Sequence, residues 1–208
     1  MWVVKLGGSL LGSVELAQWL ALFARYSDGR LVIVPGGGIF ADAVREAQRR
    51  SQCSDDIAHR MAVMAMDQYG VLLAGLNPAL VTAASELEIA ERGWQHRAIV
   101  WLPSAMVLAD ECIAASWQVT SDSLAAWLAA KLEAEHLLLI KSQRPEPSRT
   151  TLAALTEDGM IDERFGEYSA GQGFDSWMLG RQDFTEFDQG LSVARLEQIG
   201  LRLGQANR

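Results

Sequence analysis

The sequence predicts an α/β fold, a sandwich built on a largely parallel sheet. Three observations carry that expectation. Short apolar runs recur along the 208 residues, each ended by Gly, Pro or a turn signal, as in strands buried on both faces. Longer stretches between them place apolar residues at helical spacing. The two kinds alternate, and alternating strands and helices form parallel neighbours through right-handed crossovers.

In chain order, Trp2–Leu6 is the first strand and ends in Gly7-Gly8-Ser9. Ser13 opens a helix to about residue 26, with Leu16, Leu20 and Phe23 on one face. Asp28-Gly29 is a turn signal. Residues 31–34 form a second strand, ended by Pro35 and three glycines, and a helix follows through Arg50. Asp55 and Asp56 cap a long helix to about residue 73, and Asn77-Pro78 breaks it. A helix is expected over 83–92 and a strand over 98–102. Ser121 or Asp122 begins a helix to about residue 134, with Leu124, Trp127, Leu128 and Leu132 on one face. Residues 137–140 form a strongly apolar strand, and 143–149 carry two prolines and form a loop. The last fifty residues read as short helices and loops, closing in an amphipathic helix over 192–203.

Composition narrows the function. Half of the residues are apolar and 21% are charged, which suits a packed core. The net charge of −8 argues against a nucleic-acid partner, which needs a basic footprint. No apolar run approaches the ~20 residues that span a bilayer, and the N-terminus lacks the pattern of a signal peptide. No membrane partner is expected, and a cytoplasmic location is. Cys53 and Cys112 form no CxxC pair, and His96 and His136 lack ligand-spaced partners, so no metal site is predicted.

Local placement says more than net charge. Of 18 Lys and Arg residues, only Lys5, Lys131 and Lys141 are lysines, and two of them stand at strand ends. Lys5 leads into Gly7-Gly8, where glycine lets backbone N–H groups approach an anion and a helix start adds positive charge. A plain tight turn beside an amphipathic lysine is the competing reading. Gly36, Gly37 and Gly38 follow a buried strand and begin a helix, which suits backbone laid against a ligand. Thr120-Ser121-Asp122-Ser123 opens another helix, either as an ordinary N-cap or with a carboxylate that orients catalytic lysines.

Taken in order, Lys5-Leu-Gly-Gly-Ser, Pro35-Gly-Gly-Gly, Thr120-Ser-Asp122-Ser-Leu-Ala-Ala and Leu-Leu-Leu-Ile-Lys141 resemble the motif series of the amino acid kinase superfamily, over residues 1–142. The resemblance implies a three-layer α/β/α sandwich with a mainly parallel central sheet. It implies one domain over 1–208, with an acceptor-binding lobe (1–118) and a nucleotide-binding lobe (119–208). It also implies ATP and Mg²⁺, a small-molecule acceptor ending in carboxylate, carbamate or phosphate, and a homo-oligomer. By position, Lys5, Asp122 and Lys141 resemble catalytic residues. Gly7, Gly8, Ser9, Ser142 and Arg144 resemble nucleotide- and phosphate-binding residues. Gly36, Gly37, Gly38, His59, Thr120 and Ser121 resemble acceptor-binding residues.

The stretch from Asp56 through His59 and Asp67 to Gly70 resembles the short kinases of methanofuran and tetrahydromethanopterin pathways, which implies [5-(aminomethyl)furan-3-yl]methyl phosphate as acceptor. A uridylate or isopentenyl phosphate type of kinase is the neighbouring alternative. The sequence departs from the family after Lys141: the usual Asp-Gly segment is replaced by Ser-Gln-Arg144-Pro, and no later lysine follows. Lys141 or Arg144 is left for the second phosphate-binding role, and a non-catalytic nucleotide- or oxyanion-binding member is the rival reading. Trp19, Trp127 and Trp177 are read as core. Trp94, Trp101 and Trp117 are read as near loops, where one could stack on a base or furan. Met61, Met64 and Met66 are read as core or subunit interface, and His59 either as an acceptor ligand or as a solvent-facing helix residue.

Overall fold

A computed structural model describes residues 1–187 and 189–204. The fold centres on a seven-stranded sheet of β1 (Trp2–Leu6), β2 (Leu31–Pro35), β3 (Leu80–Ala83), β4 (Ala98–Trp101), β5 (His136–Lys141), β6 (Asp175–Gly180) and β7 (Leu201–Leu203), in the order β3-β4-β2-β1-β5-β6-β7. The first six strands run parallel, and β7 closes one edge antiparallel to β6. The helices are α1 (Val14–Tyr26), α2 (Gly38–Ser51), α3 (Asp55–Leu76), α4 (Glu86–Trp94), α5 (Ser104–Val107), α6 (Ser121–Lys131), α7 (Leu152–Glu157), α8 (Phe165–Ser169) and α9 (Val193–Ile199).

Alternate side chains of the central strands point to opposite faces. Val3, Leu137 and Leu139 pack with Leu128 of α6 and Phe165 of α8. Val4, Leu138 and Ile140 pack with Trp19 and Phe23 of α1 and Leu196 of α9. Helices therefore cover both faces, giving a three-layer α/β/α sandwich. This is why the central strands, Lys5 apart, read as apolar runs: Val3, Val4, Leu6, Leu137, Leu138, Leu139 and Ile140 are all fully buried.

The strand order positions the site. The chain leaves β1 for β2 and, after β3 and β4, returns to the other side of β1 as β5. The order reverses beside β1, and open parallel sheets bind ligands outside the carboxyl ends of their strands at such a point. Lys5 pairs with Leu139 and Leu6 with Ile140, so Lys141 lies two positions beyond the partner of Lys5 and on the same face.

Several elements differ from the sequence expectation. The helix expected over 83–92 is strand β3 followed by α4, because Ser85 accepts from the Glu88 N–H and delays the helix start. The tail expected as short helices and loops contains β6, paired along its whole length with β5. The closing helix expected over 192–203 stops at Ile199; Gly200 follows and the chain turns into β7. Trp101, expected near a loop, ends β4 fully buried, its ring stacked on Trp127 at 6.0 Å. Met66 is buried, whereas Met61 and Met64 are exposed on α3. No helix among the described residues is long and apolar enough to cross a membrane.

Candidate functional site

Lys5, Asp122 and Lys141 come together at the switch point. Asp122 stands in the first turn of α6, which packs on the face of β1 and β5 that carries both lysines. Lys5 Nζ lies 2.8 Å from Asp122 Oδ1 and Lys141 Nζ 2.6 Å from Oδ2. Lys5 and Asp122 are almost wholly buried, and Lys141 is nearly so. Burial alone would neutralise Asp122, but the two ammoniums outweigh it and hold the carboxyl down at about 2. Burial likewise disfavours charge on Lys5, yet Asp122 outweighs it and holds Lys5 above the usual lysine value. Lys141 is brought down to about 8 by burial and by the neighbouring charge of Lys5, against the pull of Asp122. One carboxylate thus serves two cations. Removing it would leave two like charges in a water-poor site, a loss of about 3–5 kcal/mol.

The start of α6 is held from far along the chain. Sequence reasoning named Ser121 or Asp122 as the cap. Instead Thr120 occupies the N-cap position without a side-chain cap bond, and Asp162 supplies the acceptor. Asp162 Oδ2 accepts from the backbone N–H groups of Thr120 (2.9 Å), Asp122 (3.1 Å) and Ser123 (2.9 Å), and Oδ1 accepts from the Thr120 hydroxyl. Burial, then the charge of Asp122, pushes the Asp162 carboxyl above its ordinary value. No local spacing in the sequence links Asp162 to Asp122.

The two glycine loops lie against each other. A Cβ on Gly8 would fall 2.2 Å from Gly38 N, and one on Gly36 would fall 2.5 Å from Gly8 N. Gly38 also sits at φ +52°. Part of the demand for glycine is therefore backbone packing, rather than ligand contact alone. Gly7 N–H donates to Ile140 O at 3.1 Å and Gly36 N–H to Leu6 O at 2.9 Å, so these two donors extend the sheet.

Beside the loops is a cavity of about 470 Å³. Its wall includes Gly37, Gly38, His59, Thr120 and Ser121 from the expected acceptor set, with Gly8 and Ser9 from the expected phosphate set. His59 is 7% exposed and faces this cavity rather than solvent. Burial lowers its pKa, against a hydrogen bond to the Ser116 backbone, so the ring is neutral at neutral pH. Residues that the sequence did not single out also line it: Asp42 and Arg45 of α2, paired at 2.9 Å. Ile39, Val63, Met66 and Leu124 give it an apolar side. The Arg45 guanidinium lies 4.5 Å from the ring centre of Trp117, whose indole N–H donates to Gln48 at 2.7 Å. The helical spacing of Asp42 and Arg45 after the glycine loop was the available signal for this pair. Arg144 stands apart: it pairs with Asp183 at 2.7 Å, over the end of β6. Ser142 follows Lys141 at the end of β5, outside the cavity wall. The described residues hold no group of three His, Cys, Asp or Glu side chains suited to a metal ion. Asp122 and Asp162 are already engaged by ammoniums and backbone N–H groups.

The model of the amino acid kinase family matches residues 1–144. A protein of Methanocaldococcus jannaschii named [5-(aminomethyl)furan-3-yl]methyl phosphate kinase is 30% identical over 141 residues, covering 67% of this chain and 64% of that protein. The match thus spans less than two thirds of the relative's length. Among solved structures, uridylate kinase from Archaeoglobus fulgidus superposes with a TM-score of 0.70 at 15% identity, covering 98% of this chain and 99% of that one. Aspartate kinase from Synechocystis superposes with a TM-score of 0.67 at 17% identity, covering 86% of this chain and 37% of that one. Both share the fold.

The loop contact makes one substitution informative. Gly8→Ala forces backbone against backbone and should destabilise the fold by ~1–3 kcal/mol in denaturant unfolding. Gly75→Ala, in a helix with no atom within 4 Å of the new Cβ, should raise stability by ~0.5–1 kcal/mol. Equal effects at the two positions would contradict the packed-loop account.

Proposed function

The chain belongs to the amino acid kinase family, and on that premise we propose that it transfers the γ-phosphoryl group of ATP to the phosphate of a small molecule. The acceptor we assign is [5-(aminomethyl)furan-3-yl]methyl phosphate, the compound in the name of the Methanocaldococcus jannaschii relative. The observation that carries the reading is the buried Lys5–Asp122–Lys141 cluster at the strand switch point, beside a cavity whose wall mixes polar and apolar side chains. A carboxylate shared by two lysines holds both ammonium groups together at the strand ends, where a transferring phosphoryl group needs cations.

In this reading ATP lies over the lobe of residues 119–208, and the acceptor fills the cavity between the Gly36–Gly37–Gly38 loop and the start of α6, against the lobe of residues 1–118. An oxygen of the acceptor phosphate attacks the γ-phosphorus in line, and the bond to the leaving ADP oxygen breaks. Lys5 and Lys141 neutralise charge on the transferring group and the leaving oxygen, while Asp122 keeps both lysines charged and spaced. The nucleophile is already ionised near neutral pH, so no protein base is needed. The cavity suits a compact ring carrying both charges: Trp117 supplies an aromatic wall, Asp42 a carboxylate and Arg45 a guanidinium. The engaged state of Asp122 and Asp162 does not fit a protein-held magnesium, so Mg²⁺ is assigned to the ATP phosphates. A cytoplasmic homo-oligomer completes the proposal, consistent with the free thiols of Cys53 and Cys112 and with a demand for ATP.

Incubation with Mg-ATP and the furan phosphate, followed by ³¹P NMR, should give a new P–O–P product. Uridylate and isopentenyl phosphate serve as competitor acceptors. Lys5→Ala should lower kcat by at least ~100-fold with the fold retained. ATP bound but no transfer to any acceptor would refute the assignment and favour a non-catalytic binder. A second expectation concerns pH. Lys141 loses its proton as pH rises through about 8, so kcat/KM for ATP should fall on that limb. Lys141→Arg, permanently charged, should move the fall to higher pH; an unmoved profile would remove Lys141 from ATP binding.

A further inference from the structure

We propose that Asp162 is a positioning residue for phosphoryl transfer: it clamps the first turn of α6 and so sets Asp122 between Lys5 and Lys141. The proposal rests on the kinase reading above.

The contrast with the other helices is the first observation. α1, α3, α4, α7 and α9 are capped by their own neighbours Ser13, Ser54, Ser85, Thr151 and Ser192. α6 has Thr120 at the same position, yet its cap comes from Asp162, 40 residues beyond Asp122. A hydroxyl would cap one N–H. Here three backbone N–H groups and the Thr120 hydroxyl converge on one side chain, which calls for the acceptor capacity of a carboxylate. One of these N–H groups belongs to Asp122 itself, so a shift of Asp162 moves the backbone that carries the shared carboxylate.

The second observation is how Asp162 is held. Its neighbour Ile161 is buried, and Phe165, three residues on, is fully buried. Arg164 N–H donates to Gln118 O at 3.3 Å, and the Gln118 side chain donates to Glu163 at 2.9 Å. The residues just after Asp162 are therefore tied to Gln118, which leads into α6, and Ile161 just before it is buried in the core. The third observation is electrostatic. The negative charge at the N-terminus of α6 is favoured by the helix dipole and also supports the charged forms of Lys5 and Lys141. The charged groups acting on each of these lysines are Asp122, Asp162 and the other lysine.

The scarcity of lysine supplies the test. Protein labelled with ¹³C at lysine Cε carries three reporters: Lys5 and Lys141 in the cluster, and Lys131 in the last turn of α6. In Asp162→Ala the Lys5 and Lys141 signals should shift and titrate at lower pH, while Lys131 holds its position and reports an intact helix. In transfer assays kcat should fall ~10- to 100-fold with KM for ATP changed less than about threefold, as expected for misplaced catalytic groups. Asp162→Asn, similar in size and keeping one accepting oxygen, should lie between wild type and Asp162→Ala in both readouts, and it serves if Asp162→Ala fails to fold. Unmoved Lys5 and Lys141 signals would overturn the proposal. So would shifted signals with a wild-type kcat. Wild-type protein inert toward every phosphate acceptor would overturn the kinase reading and the claim on catalysis with it, and that result needs no variant.

Discussion

The carboxyl edge of the sheet depends on one carboxylate shared by two ammoniums. A charge buried in this way is costly unless partnered, and Lys5 and Lys141 are both partnered by Asp122. The arrangement needs β1 beside β5, in the register that puts both lysines on one face. It also needs α6 to begin at that face with its first turn held in place. The cluster thus depends on strand order, register and helix start together. Asp122 restrains both lysines, and Asp162 at the start of α6 adds a second negative charge nearby.

The sequence reveals the parts of this cluster that are local and hides those that are not. Lys5, the glycines and Lys141 stand at the ends of short apolar runs, and the runs are apolar because helices cover both faces of the sheet. Asp122 announces itself through the polar quartet at a helix start. Asp162 does not, since its partners are separated from it by β5 and α7. β6 is hidden for a related reason: Ser176 breaks its apolar run, and pairing with the buried strand β5, rather than intrinsic pattern, makes it a strand. α4 shows a smaller failure of the same kind, where one serine hydroxyl decides whether Ala83 ends a strand or begins a helix.

The glycine loops show two demands meeting on the same residues. Gly8 and Gly36 are glycines because two backbones touch, and that contact also brings the ends of β1 and β2 to the rim of the cavity. The departure after Lys141 follows a similar logic. Arg144 is held by Asp183 across the ends of β5 and β6, so it stabilises this edge and keeps its guanidinium paired. The segment matched to the family ends at residue 144, yet Asp162 lies beyond it and bonds directly to Asp122 of the motif series. The net charge of −8 is compatible with an anion site because two of the three lysines are buried and placed together.

The central claim is that Lys5 and Lys141 together hold the transferring phosphate. A crystal structure with a non-hydrolysable ATP analogue, magnesium and the acceptor phosphate tests it most directly. The account expects γ-phosphate oxygens at hydrogen-bond distance, about 3 Å, from both ammonium groups, with Asp122 still between them. A bound triphosphate touching neither lysine would contradict it.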